Sequence, residues 1–269
     1  MNPLSWRECK ERFDQLIPKS RCFTNSHPDG RSLPLFRGHG SSAWELESTL
    51  ERHGLRGMLL NHYMQDCGSV RRFCGNYELS NIPFIEDAAV SYRDLKPNFP
   101  NFEYLAFLRH HGFPSPLLDW TESPYVAAFF AFRDPPKDAT SVRIWIYYSE
   151  LGHGRTYCSS SPHIHILGPF ATVHERHAIQ QCWYTISLKE DEKACVFCSH
   201  KEAIRLSETT GAKQDRLEFI DIAISSREEA LADLYAMNIS AYTLFRSLDT
   251  LIETASHRVL KIDSSNANH

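Results

Sequence analysis

The chain has 269 residues, 42% of them hydrophobic, 23% charged and 12% aromatic. That composition excludes a disordered chain and is enough for a sizeable core. The net charge is 29 − 33 = −4, which argues against a sequence-independent grip on nucleic acid.

No apolar run reaches the length of a membrane span, and the N-terminus lacks the apolar stretch of a secretory signal. A cytoplasmic protein without membrane partners is expected. The eight cysteines, at positions 9, 22, 67, 74, 158, 182, 195 and 198, are therefore read as reduced thiols.

In chain order, Leu4 to Leu16 predicts a helix, followed by a turn-rich stretch from Thr24 to Gly30. Leu33 to Arg37 predicts a short strand ended by Gly38. Helical spacing runs through residues 48–80. Phe102 to His110 predicts a helix with Gly112 as its C-terminal cap. Ser123 is a good N-cap, and Pro124 fits the first position of an almost wholly apolar helix. Such a helix belongs in the core, with its start open to something polar.

Strands are expected at Val142 to Tyr148, Ala178 to Leu188, Val196-Phe197 and Leu217 to Ile224. Ser226-Arg227-Glu228-Glu229 reads as a capping box for a helix through Met237, stopped by Asn238. Ser247 to Lys261 predicts a last amphipathic helix before a polar tail. Strands and helices do not alternate regularly, so the expected class is α+β. The expected organisation is an N-terminal segment (1–32), one domain (33–261) and a tail (262–269).

Two runs stand out as candidate chemistry. Phe36-Arg37-Gly38 sets a guanidinium fork, suited to phosphate, beside a glycine that permits close approach. Asp119-Trp120-Thr121-Glu122-Ser123 gathers a carboxylate, an indole and two hydroxyls at a helix start, where free N–H groups favour anions. Arg109-His110-His111 ends a helix, where cationic histidine is favourable. Cys195 and Cys198 form a lone Cys-x-x-Cys near His200, lacking the second pair of a structural zinc site. No metal is expected. On a strand, Gln180 and Gln181 would face opposite sides, so one could meet a ligand.

These runs together resemble the FRG domain, named for its Phe/Tyr-Arg-Gly motif. The resemblance is carried by Phe36-Arg37-Gly38, Trp44-Glu45-Leu46, Leu50-Glu51-Arg52, Leu108-Arg109-His110-His111-Gly112, Leu117-Leu118-Asp119-Trp120-Thr121 and Ser123-Pro124. It resumes at Arg176 and Gln180-Gln181 and runs to about residue 255. The family tends to have Gln where Arg109 stands, Pro-Thr-Arg where this chain has Pro114-Ser115-Pro116, and Gly where Cys182 stands.

The order of motifs is also similar to the Arg-Ser-Glu class of ADP-ribosyltransferases. That resemblance implies a central, mostly antiparallel split sheet flanked by helices, with NAD as substrate. It implies Arg37 on the phosphates with Gly38 beside it, and Thr121 and Ser123 at the ribose or carboxamide. Gln180 would hold a ribose hydroxyl, Trp120 or Tyr184 would stack on a ring, and His110 would border the ligand. The class places a glutamate where this chain has Gln180, so Asp119 or Glu122 would stabilise the developing positive charge. A protein, a nucleic acid or water would be the acceptor, in a toxin-like or anti-phage role. Two rival readings remain open: a nucleotide-binding module without chemistry, and a nuclease or hydrolase pairing His110 with Asp119.

Overall fold

A computed structural model describes residues 2–17, 34–75, 82–85, 99–149, 162–168, 175–192, 194–209 and 215–260. The turn-rich stretch at 24–30, the tail at 262–269, Cys22 and Cys158 lie outside these residues.

Seven strands appear among the described residues: β1 (Leu35–His39), β2 (Leu118–Thr121), β3 (Ser141–Ser149), β4 (His163–Leu167), β5 (Cys182–Asp191), β6 (Ala194–Phe197) and β7 (Asp215–Ala223). They form an antiparallel open sheet in the order β4-β5-β2-β1-β3-β7, with β6 on β5. The α+β class and the helix-flanked antiparallel sheet are as the sequence predicts. The strands share one hydrogen-bonded path among the described residues, and β1 and β2 are joined in it at a single position.

Helices cover both faces. The N-terminal helix α1 (Trp6–Leu16) opens with a capping box between Ser5 and Glu8. It buries Trp6, Cys9 and Phe13 in one core. That core also holds Phe36 and the inward residues of β3 and β7. α2 (Thr49–Arg52), α3 (Leu60–Cys74) and α4 (Phe102–His110) come next in the chain. α3 and α4 pack with β5 in a second core around Tyr63, Tyr104, Leu105, Tyr184 and Ile186. The long helix expected from residue 48 is broken. Gly54 and Gly57 adopt φ of +77° and +72°, a region open to glycine that ends one helix before the next begins.

α5 (Pro124–Arg133) starts at Ser123, whose hydroxyl accepts from the Val126 N–H at 3.3 Å. It buries Pro124, Val126, Ala127, Ala128, Phe129, Ala131 and Phe132, because nearly every side of it meets sheet or helix. Gly112, at φ +85°, closes α4 as expected.

Three local expectations fail for identifiable reasons. Gly38 does not end β1 but lies inside it, where the α5 backbone sits so close that a Cβ would lie 2.0 Å from the Ala127 carbonyl oxygen. Residues 178–180 belong to a short helix, α6 (Glu175–Gln180), and Gln181 turns at φ +51° before β5 begins. The Ser226 hydroxyl makes no cap for α8 (Arg227–Ala236) because it accepts from the distant Trp6 N–H. The elements β4, α7 (His200–Thr209) and α9 (Ala241–Phe245) have no clear sequence signal. The last helix, α10 (Leu248–Leu260), is where expected. No helix among the described residues is long and apolar enough to cross a membrane.

Candidate functional site

β1 and β2 pair at one position only, Phe36 with Thr121. Beyond it a cavity of about 600 Å³ opens, lined by Gly38 and His39 of β1 and Asp119 of β2 among others. α5 supplies Phe130, α6 ends on it with Gln180, and α9 closes it with Phe245. The 40–48 loop adds Trp44, Glu45 and Glu47, and Arg52 stands at its edge on α2. A cavity of this size suits a small-molecule ligand.

Arg37 reaches across the fork. Its Nη1 donates to the Asp119 backbone carbonyl at 2.9 Å and lies 3.6 Å from the Asp119 carboxylate. Its Nε–H is directed at His39 Nε2, 3.2 Å away. Burial pushes the Arg37 guanidinium down to about 10, and the cations Arg109 and Arg52 add to that against the pull of Asp119.

Asp119 is clamped. The Arg109 Nη2 donates to it at 2.6 Å, and the Arg109 Nε makes a second, parallel bond. Burial alone would raise the carboxyl. Arg109 first, then Arg37, holds it well below the usual carboxylate range. A carboxylate fixed in this way neutralises arginines, which leaves it poorly suited as a base or as the partner of an oxocarbenium ion. Arg109 is the main contributor that sequence reasoning passed over. The signal was present: it is a departure from the family pattern, placed one residue before His110.

His110, at the end of α4, borders the cavity and joins a buried polar triangle. Its Nε2 is 2.7 Å from His177 Nε2 and 2.9 Å from the Tyr184 hydroxyl, and Tyr184 and His177 are 2.8 Å apart. This triangle ties α4, α6 and β5 together. Tyr184 is thereby buried and directed away from any stacking role. Trp120 is only 2% exposed; it packs on Tyr147 and donates its indole N–H to Thr185 at 2.8 Å. The exposed aromatic ring at the cavity is Trp44, 45% accessible, with Phe130 and Phe245 on the α5–α9 side.

Thr121 Oγ donates to the Gln180 carbonyl at 2.6 Å and accepts from the Ser123 N–H at 3.1 Å. It joins β2, α5 and α6 at the base of the cavity. Gln180 faces inward and Gln181 outward, but through the helix end and not through strand alternation. The Gln180 amide donates to the Leu244 carbonyl at 2.9 Å. Ser123 does not line the cavity; it borders a separate depression with Gln181, Tyr242 and Arg246. Glu122 also stands outside, accepting from the Trp183 indole at 2.8 Å. The structure thus gathers Arg37, Gly38, His110, Asp119, Thr121 and Gln180 at one cavity. It leaves Ser123, Tyr184 and the Trp120 ring out.

Among the described residues no group of three or more His, Cys, Asp or Glu side chains is placed to hold a metal ion. Cys9, Cys67, Cys74, Cys182, Cys195 and Cys198 are all free thiols. His200 is turned into the sheet, 2.9 Å from the Thr185 hydroxyl.

No curated protein and no solved structure matches the chain. The family model of the FRG domain matches residues 33–140, a stretch that holds Arg37, His110, Arg109, Asp119 and Thr121 and ends before Gln180. The matched stretch, residues 33–140, is similar to the FRG domain and holds the motif arginine on β1, the Asp119 run on β2 and the apolar helix α5 behind them.

Proposed function

We propose that the cavity takes a dinucleotide, NAD, and that the protein transfers ADP-ribose from it to a protein, a nucleic acid or water. The observation that carries this reading is that Arg37 and Gln180, far apart in sequence, border one cavity with Thr121 between them. Arg37 would hold the diphosphate, with Arg52 on the same cavity. Trp44 would offer a ring face. The Gln180 amide, released from Leu244, would bond a ribose hydroxyl.

In the transfer the C1′–N bond breaks, nicotinamide leaves with the electron pair, and an acceptor attacks C1′ and gives up its proton. The positive charge developing at C1′ calls for a nearby carboxylate. Glu45, Glu47 and Asp134 line the cavity, each beside one cation, Lys201, Arg56 and Arg133 in turn, and would serve better than Asp119, which is held between two arginines. That clamp on Asp119, together with an amide at position 180, favours a second reading, nucleotide binding without turnover. A His110–Asp119 nuclease has less support, because His110 is bonded to His177 and Tyr184 while Asp119 is bonded to Arg109.

The test is incubation with NAD and cell extract, following free nicotinamide, beside Arg37→Ala. Release that disappears in the variant supports transfer. Absence of release, with NAD still bound in calorimetry, selects the binding module.

A further inference from the structure

The sheet ends on β7, and one stretch of that edge is open. β7 pairs with β3 without a bulge, from Asp215 opposite Ser149 to Ala223 opposite Ser141. The segment before α1 covers only the far end. There the Leu4 N–H donates to the Asp221 carbonyl at 2.8 Å, and the Ala223 N–H donates to the Leu4 carbonyl at 2.9 Å. These two bonds fix which groups face outward. Along a strand the N–H and C=O of one residue point to the same edge, and successive residues alternate. Asp221 and Ala223 point away from β3, and so do Leu217 and Phe219. The outward N–H and C=O groups of Leu217 and Phe219 have no partner among the described residues.

An open edge of this kind is a template for another strand, and its side chains select which one. Arg216 and Glu218 share one face and form an ion pair with each other. Leu217 and Phe219 share the other face, where Phe219 is half exposed and lies against Trp145 and the Arg143 guanidinium. Two copies of the chain related by a two-fold axis pair antiparallel here, and the residue that meets itself sets the register. Centring on Asp215, Arg216 or Glu218 puts like charges directly opposite each other, which is destabilising. Centring on Phe219 brings a second copy's Leu217 onto Asp221, whose carbonyl Leu4 already holds. Centring on Leu217 avoids both. Arg216 of each copy then faces Glu218 of the other, and the paired stretch, residues 215–219, ends before Asp221.

We propose that the β7 edge is where two copies of this chain join, Leu217 against Leu217, so that the sheet runs on across a two-fold axis into the sheet of the second copy. Leu217 exchanges both of its outward backbone hydrogen bonds with its counterpart, and an Arg216–Glu218 pair between the copies flanks it on either side. The strand is its own complement: reversed about Leu217, a cation falls on an anion. The neighbouring registers set like charges together, so a single alignment is favoured.

The test is analytical ultracentrifugation of the full chain across the micromolar range, where the sedimenting mass is expected to rise from one chain toward two. A parent that stays at the mass of one chain throughout overturns the proposal and leaves the edge to a strand of another protein. Glu218→Arg turns both attractions between the copies into repulsions and should weaken association about tenfold or more. Adding Arg216→Glu to the same chain should restore it. Both side chains reach solvent, so the urea midpoint should stay where it is in either variant. Association unmoved by Glu218→Arg, or not restored by the second substitution, overturns the proposal. The register has its own check. Leu217→Cys should form a reducible dimer on mild oxidation beyond that of the parent, because residues facing each other in a hydrogen-bonded pair lie about 5.5 Å apart at Cα, within disulfide reach. Phe219→Cys, which faces Asp215, should not. Cross-linking through position 219 in preference to 217 would overturn the alignment and with it the proposed interface.

Discussion

Adding one methyl group at Gly38 tests how the site is built. β1 lies directly under α5, and a Cβ at position 38 would sit 2.0 Å from the Ala127 carbonyl oxygen and 2.7 Å from the Ala131 nitrogen. Both neighbours are backbone, so no side chain can swing aside. Restoring an ordinary contact of 3.4 Å requires a relative shift of 3.4 − 2.0 = 1.4 Å between strand and helix. α5 is buried on nearly all sides, so that shift opens a gap elsewhere in the core. Overpacking costs about 1–3 kcal/mol, and a backbone clash belongs at the upper end. For Gly38→Ala we expect a loss of about 3 kcal/mol in urea unfolding, and a Tm lowered by roughly 6–12 °C. Nucleotide affinity should fall too, because Arg37 is the adjacent residue. A variant within about 0.5 kcal/mol of the parent would refute the contact between β1 and α5 from which the cavity geometry follows.

Two further predictions concern charge. Arg109→Gln removes both bonds to the Asp119 carboxylate, which is 38% exposed and so partly screened. The expected cost is about 1–2 kcal/mol, and the Asp119 carboxyl should titrate at higher pH when followed by ¹³C NMR. An unmoved titration would show that Arg109 does not hold it. His39 and His200 are both buried neutral, with pKa lowered to about 3 by burial first and by Arg37 second. Unfolded histidine titrates near 6.5, so between pH 6.5 and about 3 the unfolded state binds more protons. Stability is full above pH 6.5 and falls on acidification by ~1.4 kcal/mol per pH unit per histidine, or about 4 kcal/mol for the pair by pH 5. A urea midpoint that stays flat from pH 7 to 5 would contradict their burial in the neutral form.

The parts of the fold that could be read from sequence are those decided locally. Ser5 with Glu8, Ser123 with Pro124, and Gly112 mark helix ends whose signals lie within a few residues, and the structure places them so. The misread parts are decided at long range. Gly38 looks like a strand end until α5 is seen against it. Ser226 has the spacing of a capping box, but its hydroxyl is taken by a backbone N–H 220 residues away. The stretch before Cys182 is β-like in composition, yet six residues of helix and a left-handed Gln181 precede the strand.

The candidate site divides in the same way. The residue types that favour phosphate were visible at Arg37 and around Asp119. The pairing of Asp119 with Arg109 was not, because it joins the end of α4 to β2. Trp120 lies inside a motif and Trp44 outside the strongest one, but only packing shows that the first ring is enclosed and the second accessible.

The most direct test of the central claim is calorimetry of NAD against its phosphate-free halves, adenosine and nicotinamide riboside, on the parent and on Arg37→Ala. If the cavity is a nucleotide site organised by Arg37, NAD binds at least tenfold more tightly than either half, and the variant loses that advantage. Equal binding of NAD and adenosine, or an Arg37→Ala variant that binds NAD as well as the parent, would contradict it.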